Sequence, residues 1–268
     1  MTSVTSDRAR ALLLVGGHES ADGRALAPLL ERPELMRLRP RAVAAGRELQ
    51  RALRAALAEA GTGGPVVVLS MTLGRDPRLV SDTARTVRWA TRDEEPGRVA
   101  LAPPFGTPDH LVGWLRAACS RVHDDDAAVL IAAASADPFD DAELHRVVAL
   151  VRAHGGGRLV EVGLRGPGGE LDAGVERCRR LGAERVAVVP AELGAGGGVA
   201  APLLSPAAVA RVVAARVATA CHRLAEHGDD GVAAALGADH AHGFSHAHSH
   251  AEAHEQAHTH THDRAAVG

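Results

Sequence analysis

The sequence predicts an α/β protein built from two similar halves, each a parallel sheet flanked by helices, with a ligand cleft between the halves. Short, unbroken apolar runs alternate with longer amphipathic segments along the 268-residue chain. Runs without polar alternation are typical of strands that are buried on both faces, as in parallel sheets. Runs at 12–15 and 128–131 lie 116 residues apart, and runs at 66–69 and 186–189 lie 120 apart. These similar offsets indicate an internal duplication.

The individual elements follow from apolar periodicity and from the Gly and Pro residues that punctuate it. We predict strands at 12–15, 66–69, 99–102, 128–131, 159–164 and 186–189, and helices at 41–60, 77–89, 109–119, 140–153, 170–181 and 206–226. A Pro- and Arg-rich connection before the first helix is expected to run over the surface. The predicted domains are a first α/β half at 1–123, a second at 124–227, and a flexible His-rich tail at 228–268, where the composition changes to Ala, His, Gly and Asp.

Composition excludes several classes of function. The net charge is −3 and all thirty cationic residues are arginine, so nucleic acid is not an expected partner, and neither a phosphate-loop lysine nor Schiff-base chemistry is available. Cys119, Cys178 and Cys221 are widely spaced, which favours thiols of a reducing compartment over a disulfide framework. The apolar run near the N-terminus is too short for a secretory signal or a membrane span. We therefore expect a cytoplasmic protein without a membrane partner.

The first strand leads into the most distinctive segment of the chain. Gly16 and Gly17 end the apolar run and are followed by His18 and Glu19. At the carboxyl end of a strand, an imidazole beside a carboxylate can bind a divalent metal ion or accept a proton near neutral pH. The alternative is that His18 only forms a hydrogen bond within its loop.

Other polar residues follow the neighbouring strands. In a parallel sheet these strand ends meet at the edge that carries His18, and the candidate ligand-binding residues there are Thr72, Arg75, Arg78, Glu192, Gly196 and Gly197. Arg75 and Arg78 can bind carboxylates of a ligand; alternatively, Arg75 and Asp76 pair with each other and cap the next helix. The glycines of residues 194–198 do not form a complete dinucleotide-binding pattern Gly-x-Gly-x-x-Gly. They fit better as a wall beside a flat ligand, or as a plain loop.

The C-terminal tail carries nine histidines at alternate or every fourth position: His240, His242, His246, His248, His250, His254, His258, His260 and His262. Such spacings bring imidazoles together in an extended chain or a helix, which suits Zn, Ni, Co and Cu. We expect this tail to bind metal as a reservoir or a delivery arm, since a segment of this composition fixes no single geometry. An expression tag is the alternative, although the histidines are interleaved with other residues rather than consecutive.

The residues named so far resemble a known family. The segment Leu12-Leu13-Leu14-Val15-Gly16-Gly17-His18-Glu19-Ser20 is similar to the strand-then-Gly-His-Gly-Ser opening of the class II chelatases, the sirohydrochlorin cobalto- and ferrochelatases of cobalamin and siroheme synthesis. Val99-Ala100-Leu101-Ala102-Pro103-Pro104-Phe105-Gly106 is similar to that family's strand ending in Ala-Pro-Pro-Leu-Gly, and Asp137-Pro138 and residues 181–190 resemble the second half of its two-domain members. The resemblance covers most of residues 11–200.

The resemblance implies insertion of a divalent metal, Co or Fe, into a carboxylate-rich tetrapyrrole, with the metal as substrate and no organic cofactor. His18 would be the metal-binding and catalytic histidine, together with Glu19. The second histidine of the family has no counterpart here, and Glu19 or Glu192 would replace it. A duplicated chain implies a monomer or a weak homodimer. The alternative function is storage or delivery of Co, Ni or Zn without catalysis.

Overall fold

Two parallel β-sheets form the frame of the protein, as the sequence predicts. The computed structural model describes residues 9–61, 63–124, 126–154, 157–166, 170–194 and 201–238. The first sheet contains β1 (Ala11–Gly16), β2 (Pro40–Ala44), β3 (Val66–Met71) and β4 (Val99–Leu101), and the second contains β5 (Ala128–Ala134), β6 (Val160–Arg165) and β7 (Val186–Pro190). Every pairing between these strands is parallel.

Helices flank both sheets. They are α1 (Ala27–Leu30), α2 (Pro33–Met36), α3 (Arg47–Ala60), α4 (Pro77–Ala90), α5 (Pro108–Ser120), α6 (Pro138–Ala153), α7 (Glu170–Arg180), α8 (Pro206–His227) and α9 (Val232–Leu236). Four of them begin with a proline preceded by a residue whose side chain accepts a backbone N–H of the first turn; these caps are Asp76, Thr107, Asp137 and Ser205. The cap satisfies a free amide and proline costs nothing at this position, so the same two-residue signal starts α4, α5, α6 and α8.

The strand orders agree with an internal duplication. The first sheet has the order β2-β1-β3-β4 and the second has the order β6-β5-β7. In each sheet the first strand in sequence is central and is flanked by the second and third. Within the described residues, β4 has no counterpart in the second sheet.

The sequence prediction was wrong for β2. Residues 40–44 were divided between a surface connection and the start of the first long helix, but they pair with β1, and α3 begins only at Arg47. β2 is an edge strand with Pro40 at its start, and Val43 is its one buried residue. An edge strand lacks the continuous apolar run by which the central strands were identified.

The C-terminal segments also differ from the predicted domain plan. Helix α8 was assigned to the second half, yet it packs against β3 and β4 of the first sheet. Residues 228–238 were assigned to the tail, but α9 packs against α4 and β4 and buries Val232. The remaining tail, with all nine predicted metal-binding histidines, lies outside the described residues.

One apolar core joins the two sheets. The largest cluster of buried apolar side chains includes Leu14 of β1 and Val67 of β3 together with Val129 and Ile131 of β5. Burial at about 25 cal/mol per Å² makes such a shared core the main force holding the halves together. None of the helices in the described ranges is long and apolar enough to cross a membrane.

Candidate metal centre

His18 is placed by a tight turn at the carboxyl end of β1. Residues His18–Ser20 form one 3-10 turn, and Asp22 closes the loop by donating its N–H to the Gly17 carbonyl at 2.9 Å. A Cβ at Gly16 would lie 2.1 Å from the Gly23 nitrogen, so a side chain at position 16 would force the turn apart. The glycine that ends the strand is therefore what allows His18 to face the second half of the protein.

Two aspartates from different halves meet His18. Its Nδ1 lies 3.1 Å from Oδ2 of Asp76 and 3.7 Å from Oδ2 of Asp140. Asp76 caps α4 with Oδ1, which accepts the Leu79 N–H at 2.8 Å, and this leaves Oδ2 for His18. Asp140 lies in the first turn of α6, just after β5. One potential ligand atom from each of the three side chains lies within 4.8 Å of the others.

The electrostatics of this cluster favour a bound cation. Burial alone lowers the pKa of His18, but the hydrogen bond with Asp76 and the charges of Glu19 and Asp76 outweigh it and raise that pKa above its usual value. Burial raises the pKa of Asp140 to about 6, and the carboxylates of Asp76 and Asp137 act in the same direction, whereas His18 opposes them. Two carboxylates, each largely buried, thus lie close to a single imidazole.

The ligand set indicates which ions fit. Imidazole suits Zn, Co, Ni and Fe, and carboxylate oxygens suit harder divalent ions. Three protein ligands also leave coordination positions open for an acceptor molecule. The Nε2 atom of His18 is buried and has no hydrogen-bond partner among the described residues. Either ring nitrogen can therefore serve as the ligand if the ring rotates.

Glu19 does not belong to this cluster, contrary to its predicted role as a metal ligand. Its side chain is buried, and Oε2 accepts hydrogen bonds from the Thr72 hydroxyl and from the Leu73 N–H at 2.9 Å. Burial raises the pKa of Glu19, while Arg75 and Thr72 offset part of this effect. Thr72, predicted to bind substrate, is likewise buried beneath the site and holds Glu19 in place.

Arg75 is the cation that accompanies Glu19. Its side chain is fully buried, with Nε 3.5 Å from Oε1 of Glu19 and Nη1 4.0 Å from Oδ1 of Asp141. The three guanidinium nitrogens have no hydrogen-bond partner among the described residues. The predicted contact between Arg75 and a ligand carboxylate is not accessible in this conformation. The alternative was half right, because Asp76 caps α4, but Arg75 pairs with Glu19 instead of Asp76.

We predict that Arg75→Met destabilises the protein by about 3 kcal/mol or more, since it leaves Glu19 buried without its cation. Replacing both partners in Glu19→Gln/Arg75→Met should restore at least half of the loss, because the double variant buries no unpaired charge. Denaturant unfolding at pH 7 gives both values. Arg78→Met is the matched control: the Arg78 side chain is 58% exposed and pairs with Asp137 at 2.7 Å, so it should cost about 1 kcal/mol at most. Equal losses for the two single variants would contradict this account of Arg75.

The other predicted site residues lie around the cluster. Arg78 of α4 reaches across to Asp137, the cap of α6, and so links the two halves at the rim. Glu192 follows β7, pairs with Arg165 and accepts the Ala134 N–H, which commits it to the second half. Gly196 and Gly197 lie outside the described residues.

Sequence reasoning missed two of the three cluster residues as possible ligands. Asp76 was placed at the strand edge that carries His18 but was interpreted as a helix cap, and Asp140 was considered only as the start of a helix. The repeated cap-then-proline signal after β3 and β5 could have pointed to this edge, since it places the carboxylates of Asp76 and Asp137 at equivalent strand ends of the two halves, and Asp140 follows Asp137 in the first turn of α6. Compared with models of protein families and with curated proteins, the chain matches none.

Proposed function

We propose that this protein binds a divalent metal ion between its two halves through His18, Asp76 and Asp140 and inserts it into a carboxylate-rich tetrapyrrole. The observation that carries the proposal is the convergence of one imidazole and two carboxylates, from both halves, at the carboxyl ends of β1, β3 and β5. The resemblance of the segments around His18 and Pro103 to class II chelatases supplies the reaction and the choice of Co or Fe as substrate.

Insertion is a balanced exchange that this cluster can support. The macrocycle gives up two pyrrole N–H protons as its nitrogens take the ion, and the protein groups released by the ion are then free to accept protons. His18 and Asp140 suit this exchange because the pKa of each is raised, that of Asp140 to about 6. Arg78, which is exposed at the rim and pairs with Asp137, would bind a substrate carboxylate by exchanging it for Asp137.

The second candidate is delivery or storage of the metal without insertion. The cavity that borders Asp76 has a volume of about 260 Å³, below the roughly 300–1,000 Å³ of typical small-molecule sites. A tetrapyrrole would therefore not fit this cavity as it stands, whereas a lone ion needs no such space. This observation favours delivery, and the convergence of the strand ends on the cluster favours insertion.

One assay separates the two functions. Purified protein is mixed under anaerobic conditions with sirohydrochlorin and Co²⁺ or Fe²⁺, and insertion is followed by the visible absorbance of the macrocycle. Insertion predicts acceleration over protein-free solution that His18→Ala abolishes and His123→Ala, a change at an exposed histidine, preserves. Tight binding of one ion at the cluster without acceleration would select delivery and overturn insertion.

A further inference from the structure

A small apolar cavity opens beside the metal cluster. It has a volume of about 260 Å³ and lies between the Pro-rich loop after β4 and helix α9. Pro103 and Pro104 form one wall, and Ala234 and Ala235 form another. Asp76, whose Oδ2 contacts His18, also lines it. The cavity is thus an apolar space with one cluster ligand on its wall.

The chain is pinned at this cavity just before the tail begins. The Leu101 N–H donates to the Asp230 carbonyl at 2.7 Å, and a Cβ at Gly231 (φ 79°) would lie 2.1 Å from the Leu101 carbonyl oxygen. Asp229 accepts the Gly231 N–H at 2.8 Å and pairs with Arg223 of α8. Ala238, the last described residue, itself lines the cavity. The tail therefore starts at the mouth of the cavity.

The thirty residues after Ala238 offer one suitable occupant. They contain no leucine, isoleucine, methionine or tryptophan, and apart from alanine their apolar side chains are Phe244 and Val267. Phe244 lies six residues beyond Ala238, and six residues of extended chain span up to about 20 Å. Burying an aromatic side chain removes much more apolar surface from water than burying an alanine.

We propose that Phe244 docks in this cavity and so holds the tail beside the metal cluster. His242 and His246 flank Phe244 at two residues on either side, and in an extended segment residues two apart point to the same face. Docking therefore brings two imidazoles to the mouth of a cavity whose wall includes Asp76. This further step rests on the proposed function: the docked tail passes its metal ion to His18, Asp76 and Asp140 at a high effective concentration.

The composition of the chain allows a direct test of docking. It contains three phenylalanines: Phe105 is fully buried, and Phe139 is 76% exposed. Labelling with 4-fluorophenylalanine gives three fluorine resonances, which Phe→Leu variants assign. We expect a soluble gadolinium chelate to quench the Phe139 signal and to leave that of Phe244 as protected as that of Phe105. A Phe244 signal that is quenched like that of Phe139 would overturn docking. Protection that disappears on dilution would also overturn it, because the contact would then be with a second copy of the chain.

Matched variants on α9 identify the cavity. Ala234→Leu fills it, whereas Ala233→Leu adds the same bulk at an exposed position that does not line it. Only the first should expose the Phe244 signal to the chelate, and equal behaviour of the two variants would overturn the assignment of this cavity.

The transfer step has its own readout. One equivalent of Co²⁺ is added, and the cobalt absorbance is recorded over time for the unmodified chain and for His18→Ala. The difference between the two traces measures how fast the ion reaches the cluster. Phe244→Ala should slow arrival roughly tenfold or more, and Val267→Ala should not. If the ion reaches the cluster of Phe244→Ala as fast as that of the unmodified chain, while the Phe244 signal of the unmodified chain is protected, transfer is overturned and docking is retained. A complete lack of His18-dependent absorbance in the unmodified chain would instead overturn the proposed metal site.

Discussion

Replacing His18 by alanine should remove one bound divalent ion per chain. The variant keeps both carboxylates but loses the imidazole that lies between them, at 3.1 Å from Asp76 and 3.7 Å from Asp140. Loss of an outer residue that only supports a ligand typically weakens metal binding about 10- to 100-fold, so loss of a ligand itself should weaken it at least ~100-fold. Calorimetric titration with Co²⁺ measures both stoichiometry and affinity.

The tail must not obscure this measurement. We would make the change in a chain of full length whose nine tail histidines are alanine, so that the cluster is the main imidazole site left. His123→Ala in the same background is the control, since His123 is exposed and belongs to no metal-ligating group in the described structure. A His18→Ala chain that still binds one ion with unchanged affinity would rule out the proposed centre.

Much of the frame could be predicted from sequence because its signals are local. The central strands are unbroken apolar runs, and the starts of four helices are marked by a capping side chain followed by proline. Strand β2 was not predicted, because an edge strand with one buried residue has no such apolar run. Helix α8 was predicted at nearly its observed bounds, yet its packing on β3 and β4 depends on contacts far apart in sequence.

The site was harder to predict because neighbours in sequence are not neighbours in space. His18 and Glu19 are adjacent, but successive residues of a 3-10 turn point about 120° apart. Glu19 therefore turns inward to Thr72 and Arg75, while His18 turns to Asp76 and Asp140. Asp140 belongs to the other half of the chain, so predicting that it lies near His18 requires knowing how the two halves pack together. The shared core determines that packing.

Asp140→Asn should stabilise the metal-free protein at pH 8 and at the same time weaken metal binding. In the folded protein the pKa of Asp140 is raised from 3.8 to about 6. A raised pKa means that the folded state binds the proton more tightly than the unfolded state, so this group's contribution to stability is lost as the pH rises from about 4 to 6. Asparagine carries no charge to desolvate. The gain above pH 6 should be on the order of 2 kcal/mol, measured by thermal unfolding in the presence of a chelator.

The pH dependence of the difference between variant and unmodified chain isolates Asp140 from other titrating groups. The two should have similar stability at pH 4, where Asp140 is largely protonated in the folded state, and diverge up to pH 6. Asp109→Asn, at an exposed position in the first turn of α5, should show no such divergence. Lower stability of Asp140→Asn than of the unmodified chain at pH 8 would contradict the assigned pKa.

Added metal should reverse this order of stability. A ligand that binds only the folded state stabilises it by RT ln(1 + [L]/Kd), so the unmodified chain gains more from Co²⁺ than the variant that has lost a ligand. The ion must displace protons from Asp140 and His18, whose pKa values are both raised, and binding should therefore weaken steeply below pH 6. The two aspartates repel each other in the metal-free protein and attract a cation when it binds. The opposite signs of the effect of Asp140→Asn with and without metal distinguish a metal centre from a structural cluster.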